Sequence, residues 1–481
     1  MLYVYWFRKD LRTDDNAALA GFFKNLPDGS KFCLIYIKNR NSFNYFGEKR
    51  ISFLNESLKE LSRSLSEKDL DLQIIEGKSA GIFREITEKY GKVILYFNRQ
   101  VEPYCIKRDK EVKEIIDSVG GQVFDYNDTC ILEPGEVKNE AGDQYRVYTP
   151  FKNKSLGIIG KSHYANIRTD LSSLKKENET DLSLNRHKSI KSEDLKSSVK
   201  GIIEGGRNSG ISLLKEFYEN GISEYKEKRD IPSVTGTSML SAHLHFGTVG
   251  IREAMRTAMS ALNKAESESS KTGIQTWINE LLWREFYYHI TFFNPRLTSE
   301  SFRNEYDDLN WSYDEELFDK WCRGMTGFPI VDAGMRQLNS EGWLHNRVRM
   351  ITAMFLTKDL FIDWRLGEKY FAENLIDMDF SSNNGGWQWC ASTGVDAQPY
   401  FRIFNPYLQS KKFDPKGDYI RKYIPELKNV PSEFIHEPDK MSSDDMKKYN
   451  VIIGKDYPAG ITEHSLAKER VVSEFKKIKK Y

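Results

Sequence analysis

The sequence is short of several things that would narrow its class at once. Its five cysteines, Cys33, Cys105, Cys130, Cys322 and Cys390, are scattered and odd in number. None falls in a C-x-x-C or Cys/His spacing, so no metal site is expected and a reducing compartment fits best. No run of 18 apolar residues and no signal peptide is present, so neither a membrane span nor export is expected. Excess charge of one sign is missing as well: 71 basic residues face 70 acidic ones, for a net +1. A whole-chain electrostatic case for nucleic-acid binding therefore fails, and any basic patch must be local. No G-x-G-x-x-G follows the first predicted strand, which disfavours a dinucleotide site there. Internal repeats and low-complexity tracts are absent.

What is present is a long, aromatic-rich chain. At 481 residues it exceeds one ordinary core, so two domains are expected. Hydrophobic content of 39% and charged content of 29% are those of a globular protein. Aromatic content of 13% is high, and eight of the nine tryptophans lie between Trp277 and Trp389. The pattern changes once along the chain. Over 1–130, short apolar strands (Tyr3–Phe7, Phe32–Ile37, Leu72–Glu76, Val93–Phe97 and Val123–Tyr126) alternate with amphipathic stretches near 14–25, 47–67, 79–90 and 102–119. That alternation predicts an α/β domain with a five-stranded, doubly wound parallel sheet. Residues 131–200 are rich in Ser, Lys and Glu and read as an interdomain linker. From 201 to 481 the periodicity is helical, as in ISLLKEFYENGI and TWINELLWREFYYHITFF, and predicts an all-α second domain.

Four segments carry chemistry. Residues 376–404 place Asp377 and Asp379 ahead of a polar elbow, Ser381 to Gly386, and then Trp387 and Trp389. Carboxylates, amides, glycines and indoles packed this closely suit a flat aromatic ligand with polar edges. A glycine-rich turn joining two core helices would use the same residues. Gly236-Thr237-Ser238 ahead of Leu240-Ser241 reads as a loop entering a helix, either a phosphate cradle or a plain hydroxyl N-cap. On a helix through WINELLWREF, Trp277, Glu280, Trp283 and Arg284 share one face. Tryptophans there suit a core, but a buried Glu or Arg needs a partner. In WLHNRVRM, Asn346, Arg349 and Met350 share a face from which Arg347 turns away. Arg349 then has Asp377 or Asp379 as a candidate partner, with a surface ion pair as the alternative.

Several long motifs, in order, resemble one family. They are FRKDLRTDDNAAL (Phe7 to Leu19), YRVYTPF (Tyr145 to Phe151), GTSMLSAHLHFG, WINELLWREFYYH, GMTGFPIVDAGMRQLNSEGWLHNRVRM from Gly324, NNGGWQWCASTG and PYFRIFNP. The chain is similar to the photolyase/cryptochrome family and specifically resembles its class I cyclobutane pyrimidine dimer photolyases. The resemblance runs from residue 1 to about 470 and is weakest across 155–200.

The resemblance implies an antenna domain, a linker and a helical domain holding FAD in a folded form. It assigns the FAD phosphates to Tyr225, Thr237, Ser238, Leu240 and Ser241, with Met239 beside them. Trp277, Arg284, Asn346, Arg349, Asp377 and Asp379 match positions around the flavin, and Asn383 matches the residue facing its N5. Plant-type cryptochromes tend to carry aspartate there and animal-type ones cysteine. An amide bonds N5 without delivering a proton, which suits a fully reduced anionic flavin. Glu280, Trp283, Asn346, Met350 and Trp389 match the lesion pocket. Arg347, Arg402 and Arg229 match phosphate contacts, and Trp387, Trp364 and Trp311 match the electron-transfer tryptophans. The related (6-4) photolyases have two histidines where this chain has His345-Asn346, which favours cyclobutane dimers.

The implied activity is light-driven repair of pyrimidine dimers in DNA. An excited reduced FAD passes an electron to a flipped-out dimer and recovers it after the ring splits. The implied partner is damaged DNA, bound by a monomer in the cytoplasm, at the nucleoid in a prokaryote. The alternative is a cryptochrome-type blue-light photoreceptor. The complete repair set, and a chain ending at Tyr481 without a long tail, favour repair. A flavin oxidoreductase working without light would need a nicotinamide site, and no fingerprint for one is present. Two departures stand out. Met239 replaces the arginine many relatives carry, and Tyr104-Cys105 stand where folate-using relatives have Asn-Glu. A deazaflavin or second flavin is therefore expected as antenna ahead of methenyltetrahydrofolate, its mouth formed by Phe7 to Asp10 and Phe43 to Phe46.

Overall fold

The computed structural model describes residues 1–39, 46–199 and 201–478. The chain divides into two compact units, residues 1–223 with 238–295, and 224–237 with 296–481.

The first unit is built on a sheet with strand order β5-β4-β1-β2-β3-β6. The strands are β1 (Leu2–Phe7), β2 (Phe32–Lys38), β3 (Leu72–Glu76), β4 (Val93–Asn98), β5 (Gln122–Tyr126) and β6 (Lys188–Ile190). Strands β1 to β5 pair in parallel, as the alternating pattern predicts. The sixth, β6, comes from the polar connector and pairs antiparallel with β3. A three-residue, largely polar strand carries no periodicity to be read in sequence. The helices α1 (Ala17–Asn25), α2 (Glu48–Ser66), α3 (Ser79–Tyr90) and α4 (Pro103–Ser118) alternate with the strands. Three of the four start or end on a legible signal: Asn16 caps α1 by accepting from the Leu19 N–H, Gly91 ends α3, and a proline opens α4. Every residue of β1 and β4 is buried, which is why these strands read as continuous apolar runs.

The chain order reverses between β1 and β4, where open α/β sheets bind ligands. The turn after β1 is drawn inward there. Asp10 accepts from Tyr5 Oη (2.6 Å) and Asn98 Nδ2 (2.7 Å). Arg8 pairs with Asp109 (2.6 Å) and lies over the Phe97 ring at 4.2 Å. Asp128 is held between Arg12 and Arg252, each at 2.5 Å. Burial opposes its charge, but the two guanidinium groups outweigh burial and keep its carboxyl below the usual range. Tyr104 is exposed and its hydroxyl accepts from Asn39 Nδ2 (2.9 Å), while Cys105 is buried and its thiol is pushed up to about 11 by burial. Of the expected antenna mouth, positions 43–45 lie outside the described residues. The connector also contributes α5 (Tyr148–Ile158), and α6 (Glu268–Phe293) is the longest helix of this unit.

The second unit is helical around one large core that includes Trp321, Phe328, Met354, Trp364 and Trp387. Its functional helices are α7 (Asn346–Met354), α8 (Trp364–Asn374) and α9 (Phe380–Ala391). After α7 the chain widens into one π-type turn, Phe355–Asp359, which buries Lys358. The ammonium donates to the Ala391 carbonyl and Ser392 Oγ, both at 2.9 Å, at the C-terminal end of α9. Burial pulls the pKa of this lysine down to about 7, and its two hydrogen bonds, charged or neutral, anchor α9 from behind. Among the described residues no helix is long and apolar enough to cross a membrane.

Candidate functional site

In the second unit the residues singled out above gather on α7, α9 and the turn between α8 and α9. The expected elbow over Ser381 to Gly386 is instead the first half of α9. Two glycines inside a helix cost about 1 kcal/mol each against alanine, so composition argues for a turn. Asp379 overrides it by accepting from the Ser382 N–H (2.9 Å) as N-cap. The helix ends at Ser392, which takes a left-handed φ of 70°.

Asp377 is buried, and its Oδ2 accepts from Arg349 Nη2 at 2.8 Å. Arg349 is fixed a second time by donating Nε to the Leu344 carbonyl (2.7 Å). The expected partnership of Arg349 with a carboxylate of this segment is therefore present. Asp377 Oδ1, Ser381 Oγ and His345 Nε2 are buried with no hydrogen-bond partner among the described residues. Buried polar atoms nearly always have partners, so three orphans on these elements suit a bound polar group. The donor set is right for FAD: a fixed cation, carboxylate and hydroxyl oxygens, and amides. Gly386 adds open space, since a Cβ there would meet nothing within 4 Å.

Asn383 lies one turn into α9, and its Nδ2 donates to the Glu368 carbonyl at 3.1 Å. That bond fixes the amide and leaves its oxygen for another partner. Glu368 was not legible as a site residue. Its carboxyl accepts from Asn384 Nδ2 (2.9 Å) and is pushed up to about 7 by burial. Only its position on α8, across from α9, gives it importance. His345 caps α7, its Nδ1 accepting from the Arg347 N–H (3.2 Å). Burial pulls its pKa down to about 4, so the ring is neutral at physiological pH.

Asn346 is exposed, and Met350 and Trp389 sit partly buried at the edge of the core. Arg347 is paired with Asp230, and Arg402 is exposed. Tyr225 is buried with Arg229 over its ring at 5.5 Å. Thr237 is partly buried at the end of the same segment. Trp364 and Trp387 are fully buried and Trp311 partly so. Among the described residues no ring pair joins any two of these three. Trp387 packs on Phe371 (4.9 Å) and Trp321 (6.0 Å), and Trp311 packs on Phe361 (4.9 Å). All three indole Nε1 atoms are buried without an acceptor, whereas Trp321 Nε1 donates to the Thr352 carbonyl (3.1 Å).

In the first unit, Ser238 to Ser241 do not form the hydroxyl N-cap that was the alternative reading. The cap of the short helix Ser241–Phe246 is Leu240, with no side-chain bond, and Met239 takes a left-handed φ of 55°. Such a φ is uncommon for a bulky residue and marks a constrained loop. On α6, Trp277 is buried against Phe217 (5.0 Å), and Glu280 and Trp283 are partly buried. Trp283 stacks face to face on Tyr148, centroids 3.6 Å apart, and Tyr148 Oη donates to the Asn279 carbonyl (2.6 Å). Arg284 directs its fork to the Thr129 carbonyl (2.6 Å) and Tyr288 Oη (3.1 Å). Its neighbour Glu285 is the buried carboxylate that needs partners, and it accepts from the N–H groups of Ile131 and Leu132. A period of 3.6 carries the signal, since Glu285 lies three and four residues from the buried Leu282 and Leu281 while Arg284 points about 100° away.

A family model described as the FAD binding domain of DNA photolyase matches residues 277–477, and one described as DNA photolyase matches 3–165. A deoxyribodipyrimidine photo-lyase of Alkalihalophilus pseudofirmus is 38% identical over 99% of this chain and 98% of its own length. A bacterial class III photolyase from Agrobacterium tumefaciens superposes with a TM-score of 0.89 at 35% identity, over 100% of this chain and 98% of that one. An archaeal photolyase from Sulfolobus tokodaii, described with two FAD molecules, gives 0.83 at 31% identity, over 99% and 100%. A cryptochrome of Synechocystis gives 0.84 at 26% identity, over 98% of each chain.

Proposed function

The chain belongs to the DNA photolyase family, with that family's FAD-binding domain, and from that membership we propose that it repairs cyclobutane pyrimidine dimers in DNA. The observation that carries the reading is the match to a deoxyribodipyrimidine photo-lyase along essentially the whole chain. Asn383 supports the repair branch over the cryptochromes, and the His345-Asn346 pair supports cyclobutane dimers over (6-4) products. The enzyme acts as a cytoplasmic monomer on damaged DNA, at the nucleoid in a prokaryote.

Bound and reduced, FAD supplies the light-driven electron that opens the cyclobutane ring. The chain's own residues do the rest. The Arg349–Asp377 pair and Asp379 hold and orient the flavin, with Arg349 fixed from two sides before any ligand arrives. Asn383 presents an amide oxygen and cannot deliver a proton. In the first unit Ser238 to Ser241 take phosphate, while Tyr225 and Thr237 do so in the second. Met350 and Trp389 offer apolar surface to the fused rings, as does Trp283, whose plane is set by Tyr148. Glu280 and Asn346 bond base edges, and Arg229, Arg347 and Arg402 meet phosphates. Trp311, Trp364 and Trp387 pass electrons inward. Among the described residues their indole N–H groups have no acceptor, which supports this role, because no described neighbour takes the proton of an oxidised ring.

The test is direct. Protein loaded with FAD, reduced and mixed with an oligonucleotide carrying one thymine dimer should restore its absorbance near 260 nm under blue light and not in the dark. A protein that keeps FAD but leaves the dimer intact in light would favour the second reading, a photoreceptor, which the cryptochrome-like fold also accommodates.

A further inference from the structure

Arg347 opens α7 and is held from three sides. Its backbone N–H donates to His345 Nδ1, its guanidinium lies 4.3 Å over the Phe413 ring, and its fork meets Asp230. Both Nε (3.2 Å) and Nη2 (2.8 Å) converge on the same oxygen, Asp230 Oδ1. The Nε of Arg229 stands 4.0 Å from that oxygen too. One anionic oxygen faced by two guanidinium groups is the arrangement these groups would give a phosphate oxygen. Folding does not require it. The carboxylate is 37% exposed, and ion pairs this open contribute little to stability.

We infer that Asp230 is a built-in phosphate surrogate, which keeps Arg347 and Arg229 aimed at the DNA backbone while lowering their affinity for DNA that carries no lesion. The inference rests on the repair reading, in which Arg347 and Arg229 meet phosphates. A phosphate arriving at these arginines competes with a carboxylate already bonded to one of them. Undamaged duplex brings only its backbone and gains little from the exchange. A site with a flipped-out dimer adds contacts elsewhere and tolerates the same competition. The competition subtracts the same free energy from both complexes, so it leaves their ratio unchanged and reduces the time the enzyme spends on a large excess of intact DNA. A chain with a net charge of +1 has little long-range attraction to restrain, so a local counter-charge is the lever available.

The experiment uses the FAD-loaded full chain and a short undamaged duplex, titrated over a range of salt. Asp230→Asn should bind this duplex about three- to ten-fold tighter at low salt, and its log–log salt slope should steepen by about 0.9. Asp230→Ser, a smaller neutral replacement, should do the same. In an Arg347→Ala background the gain should be markedly smaller, because the partner it frees is gone. The gain for dimer-bearing DNA should be of similar size, because the same phosphate contact is freed in both complexes. Unchanged or weaker binding by both Asp230 variants overturns the inference, as does an equal gain with and without Arg347. If Arg347→Ala alone leaves DNA binding and its salt slope unchanged, the phosphate role of Arg347 fails instead, a separate outcome visible in the same titrations.

Discussion

Three side chains of the second unit, Asn383, Glu368 and Arg349, each make a prediction at the residue scale. Asn383 is oriented by the Glu368 carbonyl, so Asn383→Asp replaces a non-acidic group with one that has a proton to give. The photoreduced cofactor of that variant should shift toward the protonated form in its absorption spectrum, and unchanged spectra would count against the assignment. Glu368 itself should leave a signature in stability. Burial raises its pKa to about 7 in the fold, above its ordinary unfolded value. The native state therefore holds a proton that the unfolded chain has released, and its contribution is lost as pH rises toward 7. Glu368→Gln cannot lose that proton. Its melting temperature relative to the parent should climb by more than about 2 °C between pH 5.5 and 8.5. A difference flat with pH would show that the carboxyl titrates normally. Arg349→Ala strands the buried Asp377 carboxylate, and should cost up to about 3 kcal/mol in a denaturant titration while weakening FAD retention.

At the scale of elements, α9 carries Asn383 and Trp389 of the proposed site and is a poor helix by composition. Asp379 starts it, Lys358 holds its end, and two glycines lie within it. Gly386→Ala removes a conformational cost of about 1 kcal/mol and meets no atom of the chain. The cofactor-free variant should therefore melt higher than the parent. It should also retain less FAD, because the new methyl occupies the open face of α9. A variant that is more stable and binds FAD equally well would place the flavin elsewhere. Part of this unit is legible in the sequence: the face shared by Asn346, Arg349 and Met350 follows from a period of 3.6, and the need of Arg349 for a carboxylate follows from its charge. The helical state of Ser381 to Gly386 is not legible there, because local propensity favoured a turn and a single cap with tertiary anchors decided otherwise.

For the whole molecule, the first unit sets the question of a second chromophore. At the switch point of its sheet, Arg8 and Asp10 are bonded to the chain's own groups, and Cys105 is buried with its thiol proton retained. Neither Tyr104 nor Cys105 offers the paired acceptors a pterin ring would take from a glutamate. Extraction of the native protein should yield FAD and no stoichiometric folate, and stoichiometric folate would overturn this. The turn Phe7 to Asp10, expected at an antenna mouth, opens a buried polar network that continues through Arg12 and Asp15.

By itself the sequence determined the five parallel strands, the helices between them, the helical second half and the family. These rest on local period, caps and long ordered motifs, which survive without neighbours. Tertiary structure alone decided which carboxylate Arg349 takes, that the N–H groups of Ile131 and Leu132 meet the buried Glu285 carboxyl, that Lys358 sits behind α9, and that Asp230 answers Arg347. Each of these is a contact across many residues of chain, and charge pairing carries no periodicity along the sequence. Which partner a charged group meets, and whether burial moves its proton, depends on the solvent that folding removes.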